Sequence, residues 1–201
     1  MASQIDIFNM ALSHIGATAT VQDLNERSAE RIICSRFYDT TRDALLAYKS
    51  CPWSFATKFE PLADIGSPQE PWAYRYALPN DCITALYIAQ TIGNNLRDEQ
   101  QIPFQIVTAD TGRALLTNQP GAILCYVSRL TETERYSSPF VEALSARLAA
   151  AIAMPVAKSA SLRQEVSGMA EQLIQVAMAH ELNQAQHGLM PESAYIAEIH
   201  A

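Results

Sequence analysis

The chain has 201 residues, 49% hydrophobic and 17% charged, with a formal net charge of -7. That composition supplies one or two ordinary cores and excludes an intrinsically disordered chain. The acidic balance also argues against a protein that neutralises a phosphate backbone, a task that needs clustered Lys and Arg. Arg27, Arg31, Arg36 and Arg42 recur along one predicted helix, but Glu26, Glu30, Asp39 and Asp43 are interleaved with them. A solvated, self-paired face is expected there.

Ser3 precedes Ile5, Phe8, Leu12 and Ile15 at helical spacing, with Asp6 three residues on and Gly16 past the last apolar position. This pattern predicts a capped first helix. Ala29, Ile32, Ile33, Phe37, Tyr38, Thr41, Leu45 and Tyr48 then trace a longer second stripe. It should stop near Pro52, which lacks an N–H and biases its predecessor toward extended geometry. Trp53 and Phe55 are expected to anchor that exit, since each aromatic ring buries roughly 150–250 Å².

From Lys58 to about Thr131, recurrent Pro and Gly divide the chain into short runs. Trp72 to Leu78, Ile83 to Ala89, Phe104 to Val107, Arg113 to Thr117 and Ile123 to Ser128 are β-branched or aromatic enough to pair. Asp110-Thr111-Gly112 and Gln119-Pro120-Gly121 look like the turns of a meander, and the segment is expected to form a small antiparallel sheet or sandwich. The helical period returns at Phe140, Leu144, Leu148 and Ile152, with an interruption expected near Pro155, and Ser137 or Ser138 is expected as N-cap. A last helix should pack through Leu162, Val166, Met169, Leu173, Val176 and His180.

The resulting expectation is an α+β fold, a bundle of about four helices with an inserted small antiparallel β domain. Its divisions are helices one and two over 1–57, the β insertion over 58–131, helices three and four over 132–187, and a C-terminal tail over 188–201. Trp53, Phe55, Tyr76 and Leu78 are expected as structural anchors where bundle and sheet meet. The tail carries Leu189, Met190, Tyr195, Ile196 and Ile199, a candidate partner-docking segment.

Chemistry is sparse. His14, His180, His187 and His200 have no carboxylate or cysteine at metal-ligand spacing, so no metal site is expected. Asp81 follows Leu78-Pro79-Asn80 and reads as a turn residue with no second carboxylate brought to it. Asp110-Thr111-Gly112 is a weak match to the aspartic-protease tripeptide and occurs once. There is no G-x-S-x-G, no glycine-rich phosphate loop and no H-E-x-x-H, so neither catalytic residues nor a cofactor are expected. Cys34, Cys51, Cys82 and Cys125 form no C-x-x-C pair, and no basic and apolar leader opens the chain, so buried free thiols in a reducing cytosol are expected. The apolar run Leu148 to Val156 is far short of the about 20 residues that cross a bilayer, so no membrane segment is expected.

The order of motifs resembles the tail tubular protein A family of short-tailed bacteriophages. Ala11-Leu12-Ser13-His14-Ile15-Gly16-Ala17 is similar to that family's first helix and its glycine stop. Pro52-Trp53-Ser54-Phe55-Ala56, Tyr76-Ala77-Leu78-Pro79-Asn80-Asp81-Cys82, the sheet and two helices follow in the family's order. The resemblance spans nearly the whole chain. It implies a non-enzymatic virion protein, a head-to-tail adaptor that forms a ring, typically of twelve copies, at the head–tail junction. Its implied partners are further copies of itself, the portal protein above, the tail nozzle below, and genomic DNA passing through the lumen without specific binding. Synthesis in the host cytoplasm and a tail that reaches the portal are also implied.

Independently of the resemblance, an alanine-rich helix such as Ala143 to Ala153 suits close subunit approach, and heterologous contacts that close a rotation make a ring. An acidic wall would not retain a moving polyanion. Two other readings are an assembly module acting as monomer or dimer, and a phage hydrolase. The hydrolase needs two carboxylates about 5–10 Å apart, and Asp64, Glu70, Asp81, Asp98, Glu99 and Asp110 show no motif that brings two together.

Overall fold

The computed structural model describes residues 2–66, 70–89, 102–109 and 112–185. The expected docking segment with Leu189, Met190, Tyr195, Ile196 and Ile199 lies outside them, as do Asp98, Glu99, Asp110, Thr111, His187 and His200. The fold is α+β, with two helices, six strands and two further helices in chain order.

Helix α1, Gln4–His14, starts with the expected capping box: the Asp6 N–H donates to Ser3 Oγ and the Ser3 N–H to the Asp6 carboxylate at 2.8 Å. It buries Ile7, Phe8, Ala11 and Leu12, and Gly16 turns the chain away at φ +69°. Asn9 then fastens the connection, donating to the Val21 carbonyl at 2.9 Å and accepting from the Val21 N–H at 2.8 Å. Helix α2, Ala29–Leu46, is capped by Ser28.

Two expectations for α2 need correction. Its buried face is Cys34, Tyr38, Thr41, Arg42, Leu45 and Leu46, while Ile32 of the expected stripe is exposed. Arg42 is not solvated: its stem is buried, its guanidinium lies 5.8 Å from the Tyr38 ring centre, and it pairs with Asp39 and Asp43 at 2.8 Å each. Self-pairing is present, and it is what allows the arginine inside. The helix ends at Leu46, ahead of Pro52, and a 3-10 turn over Tyr48–Ser50 with Lys49 and Ser50 at φ +48° and +51° makes the exit.

Strand β1, Thr57–Pro61, was not among the expected runs. Its alternation is hidden because Lys58 and Glu60 flank Phe59 on an edge strand. The other strands are β2 Tyr74–Ala77, β3 Cys82–Ala89, β4 Phe104–Ala109, β5 Gly112–Thr117 and β6 Ile123–Ser128. They form two antiparallel three-stranded sheets, ordered β1-β6-β3 and β2-β5-β4. This overturns the simple meander. β4 and β5 do form a hairpin, with Ala109 opposite Gly112, but Gln119-Pro120-Gly121 carries the chain from one sheet into the other, with Gly121 at φ +61°.

Helix α3, Ser138–Ala157, is the hub of the bundle, and α1, α2 and α4 all pack on it. It buries Phe140, Leu144, Leu148 and Ile152 as expected, together with Ala143, Ala146, Ala149 and Ala153. The expected interruption at Pro155 does not occur. The helix continues to Ala157 and closes at Lys158, φ +52°, because a proline this near the C-terminus disturbs only the last turns. By length and composition α3 could cross a membrane, unlike the shorter run singled out from the sequence. More than half of that stretch is instead buried inside the fold.

Helix α4, Ala160–Ala185, packs along α3 through Val166, Ala170, Ile174, Ala177 and Glu181. Of the expected seam, Val166 is buried, Leu162, Met169 and Leu173 are half-buried at its margin, and Val176 and His180 are exposed, which corrects the expectation for those two. Both helices bury alanines, Ala146, Ala149 and Ala153 on α3 and Ala170 and Ala177 on α4, and small residues of this kind allow close helix packing.

Among the described residues there are two hydrophobic cores. The larger lies within the bundle and takes in Val127, Ile83 and Leu86 from the first sheet. The smaller lies between the sheets and contains Tyr76, Leu78, Ile88, Leu115, Leu124 and Tyr126. The first sheet contributes to both, so the cores should melt together. We expect Trp53→Ala to cost about 3–5 kcal/mol in urea unfolding, with far-UV and near-UV signals changing in one transition. Two separated transitions would show that the cores are independent.

Candidate functional site

The four expected anchors do not meet at one junction. Trp53 is fully buried in the bundle core, its indole N–H donating to the Leu46 carbonyl at 3.2 Å and its ring meeting Phe140 edge-on at 4.9 Å. Phe55 packs on Phe140 and Tyr136 at 4.9 and 5.7 Å. Tyr76 and Leu78 belong to the inter-sheet core, where the Tyr76 hydroxyl donates to the Gln119 carbonyl at 3.0 Å. Each pair is an anchor, but of a different core.

What fastens the Pro52 to Phe55 corner to the helices is a residue that sequence reasoning missed. Glu181 of α4 has no exposed surface, and one carboxylate oxygen accepts from the Ser54 N–H at 2.9 Å and the Ser54 hydroxyl at 2.6 Å. The other accepts from the Ser137 hydroxyl at 2.8 Å, which explains why Ser137, the N-cap of α3, makes no side-chain capping bond. A buried carboxylate is tolerated when hydrogen bonds replace its water shell. The only signal in the sequence was one acid beside the expected seam position His180.

Asp81 sits in the expected turn, closed by the Cys82 N–H donating to the Pro79 carbonyl at 3.0 Å. Its carboxylate does more than shape that turn. It accepts from Lys58 Nζ at 2.6 Å and lies 3.0 Å from the Tyr126 hydroxyl, which is also 2.8 Å from Glu60. A second carboxylate is therefore brought to Asp81, contrary to expectation, because β1 places Lys58 opposite Tyr126. The phenol has one proton and serves one carboxylate at a time. Burial pushes the Asp81 carboxyl up, but the bonds from Lys58 and Tyr126 outweigh it and hold it below the ordinary value. A glycosidase acid needs the opposite shift.

His14 Nε2 lies 3.3 Å from the Ser145 hydroxyl. This is not a nucleophile and its base, because Ser145 is fully buried and gives its own proton to the Glu142 carbonyl at 2.8 Å. The serine must accept, so the imidazole carries its proton on Nε2. Burial holds the His14 pKa below the usual imidazole value, against the opposing pull of Glu142. His180 lies 3.7 Å from Glu181 and near Gln184. Among the described residues no three His, Cys, Asp or Glu side chains converge as a metal site. The four cysteines are free and buried, and desolvation raises the Cys34, Cys51 and Cys82 thiols to about 11, which makes them poor nucleophiles.

Among the described residues, exposed large apolar side chains occur on both the sheets and the helices. Phe59 of β1, 61% exposed, and Tyr87 of β3 stand on either side of Cys125 in the first sheet, ring centres 6.3 Å apart. Val176 and Leu182 are exposed on α4. Compared with known proteins, the chain matches no family model and no curated protein.

Two outcomes are expected. Glu181→Ala should cost roughly 3 kcal/mol, since charged hydrogen bonds are worth about 1.5–3 kcal/mol each and the Ser54 N–H loses its partner; Glu181→Gln should cost less, both read by urea unfolding. For His14, the unfolded chain takes up its proton near pH 6.5, before the folded chain does. Its contribution is intact above that pH and is lost as pH falls toward the folded value. The melting temperature should therefore drop more gently on acidification in His14→Gln than in the parent.

Proposed function

We propose that this protein is a head-to-tail adaptor of a short-tailed bacteriophage, a structural ring subunit seated between portal and tail nozzle. Its family resemblance supplies the identity of the partners. The observation that carries the assembly reading is the exposed aromatic pair Phe59 and Tyr87 on the sheet, with Val176 of α4 a separate exposed apolar position on a different element. A heterologous contact joins two different patches, and repeated around an axis it closes a ring. An exposed aromatic pair such as Phe59 and Tyr87 is the kind of apolar surface that serves as a contact site.

The hydrolase reading is weakened by the Lys58 partner that keeps Asp81 ionised. The ring, of about twelve copies by the resemblance, would continue the DNA conduit, with an acidic composition that does not hold the genome electrostatically. The segment with Leu189, Met190, Tyr195, Ile196 and Ile199 follows α4 in sequence and is proposed to dock on a partner. No cofactor enters this role.

Light scattering on the purified protein, alone and with a candidate portal ring, tests the reading. We expect binding to the portal in a fixed, ring-like number, and expect Phe59→Ser and Val176→Ser to reduce that number at unchanged melting temperature. A monomer that ignores the portal would point to the assembly-module reading instead.

A further inference from the structure

A groove of about 320 Å³ opens where α2, α3 and α4 meet, and no acidic residue lines it. Its two charged side chains are Arg147 and Arg163. Among the described residues neither joins a salt bridge, those being made by Arg42, Lys58, Arg129 and His180. Arg147 is half-buried with its guanidinium 5.5 Å from the Tyr48 ring centre. Stacking of that kind fixes the plane of the group and leaves its N–H edge free to donate. Glu171 lies outside the lining and makes no salt bridge with Arg147, although the bond from the Tyr48 hydroxyl and then the nearby Lys49 and Arg147 charges hold its carboxyl below the ordinary value.

The remaining lining suits a small polar ligand. Thr41, only 7% exposed, borders the groove, and neither its hydroxyl nor that of Thr40 makes a hydrogen bond among the described residues. Ala44, Ala150 and Ala151 add no bulk beyond Cβ and keep the space open. Two arginines lining one groove repel each other unless a counter-charge sits between them. In a chain with net charge -7 no acid is among the groove's lining residues, and Glu171, the acid that Arg147 does feel, is already engaged by Tyr48 and Gln175.

We propose that this groove binds an oxyanion, a phosphate or carboxylate group, through the guanidinium edges of Arg147 and Arg163 with the threonine hydroxyls completing its shell. Planar guanidinium forks match both kinds of group. The anion has two sources, a free small ligand or a carboxylate side chain of a second copy of this chain.

Inorganic phosphate is titrated at constant ionic strength while the arginine Nε–H signals are followed by NMR. In parallel, sedimentation is measured against protein and salt concentration without phosphate. We expect saturable shifts of the Arg147 and Arg163 signals, and about tenfold weaker binding in Arg147→Gln or Arg163→Gln, the scale of one charge-assisted contact. Arg147→Lys, which keeps the charge and loses the fork, should fall between, and melting temperatures verify that each variant is folded. Phosphate shifts that depend on both arginines support a free anion. Salt-sensitive self-association that depends on both arginines, without phosphate shifts, supports the carboxylate of a second copy. Absence of both overturns the site.

Discussion

Strand β6 must satisfy two cores at once, and the rest of the molecule is arranged around that demand. It is the middle strand of its sheet, so neither edge is free, and its alternation sends Leu124 and Tyr126 into the inter-sheet core and Val127 into the bundle core. The residues that follow extend the tie. The Ser128 N–H and hydroxyl both donate to the Ala56 carbonyl at 2.8 Å, the Arg129 N–H donates to the Asp81 carbonyl at 2.7 Å, and Arg129 Nε reaches Asp43 of α2 at 2.8 Å. Within four residues, Tyr126 to Arg129, the chain touches β1, the start of β3 and the second helix. A one-residue slip of this strand would exchange the two faces and misplace every one of these bonds.

On the helical side the matching constraint is the packing of α3. Its alanines accept three helices around them, at the cost of an almost uniformly apolar surface that no single stripe describes. α4 then needs a second, directional restraint, since alanine contacts alone specify register weakly. Glu181 supplies it near the far end by gripping Ser54 and Ser137 together. The corner that begins the β region and the cap that begins α3 are thus held by one carboxylate, and this couples the helical layer to the point where the chain enters and leaves the sheets.

The sequence signals that proved legible were local ones. Ser3 with Asp6 predicted the start of α1, Phe140 to Ile152 predicted the buried spine of α3, and five of six strands were visible as β-branched or aromatic runs. For Arg42, the partners Asp39 and Asp43 stand on its own helix and were legible as self-pairing, while its burial was not. Two other misreadings share a cause: Ile32 is exposed because the neighbouring helix covers a rotated face, and β1 is a strand because Tyr126 and Cys125 lie opposite it, so each depends on a tertiary neighbour that periodicity does not encode. The polar assemblies were hidden for the same reason: Glu60 and Asp81 meet only through Tyr126, and Glu181 meets Ser54 across more than a hundred residues of chain.

The first sheet also carries the surface on which the proposed assembly rests. The face of β6 that bears Val127 also bears Cys125, and at Cys125 the bundle no longer covers it, so Phe59 and Tyr87 flank a buried thiol with their own rings exposed. A sheet long enough to bridge two cores projects beyond the smaller footprint of either. That surplus is energetically unfavourable in an isolated subunit, because two aromatic side chains give up much of the burial they would gain in a core. In the proposed ring the same surplus would become the contact, and the strand that unites the two cores within a subunit would also set the position of the next one.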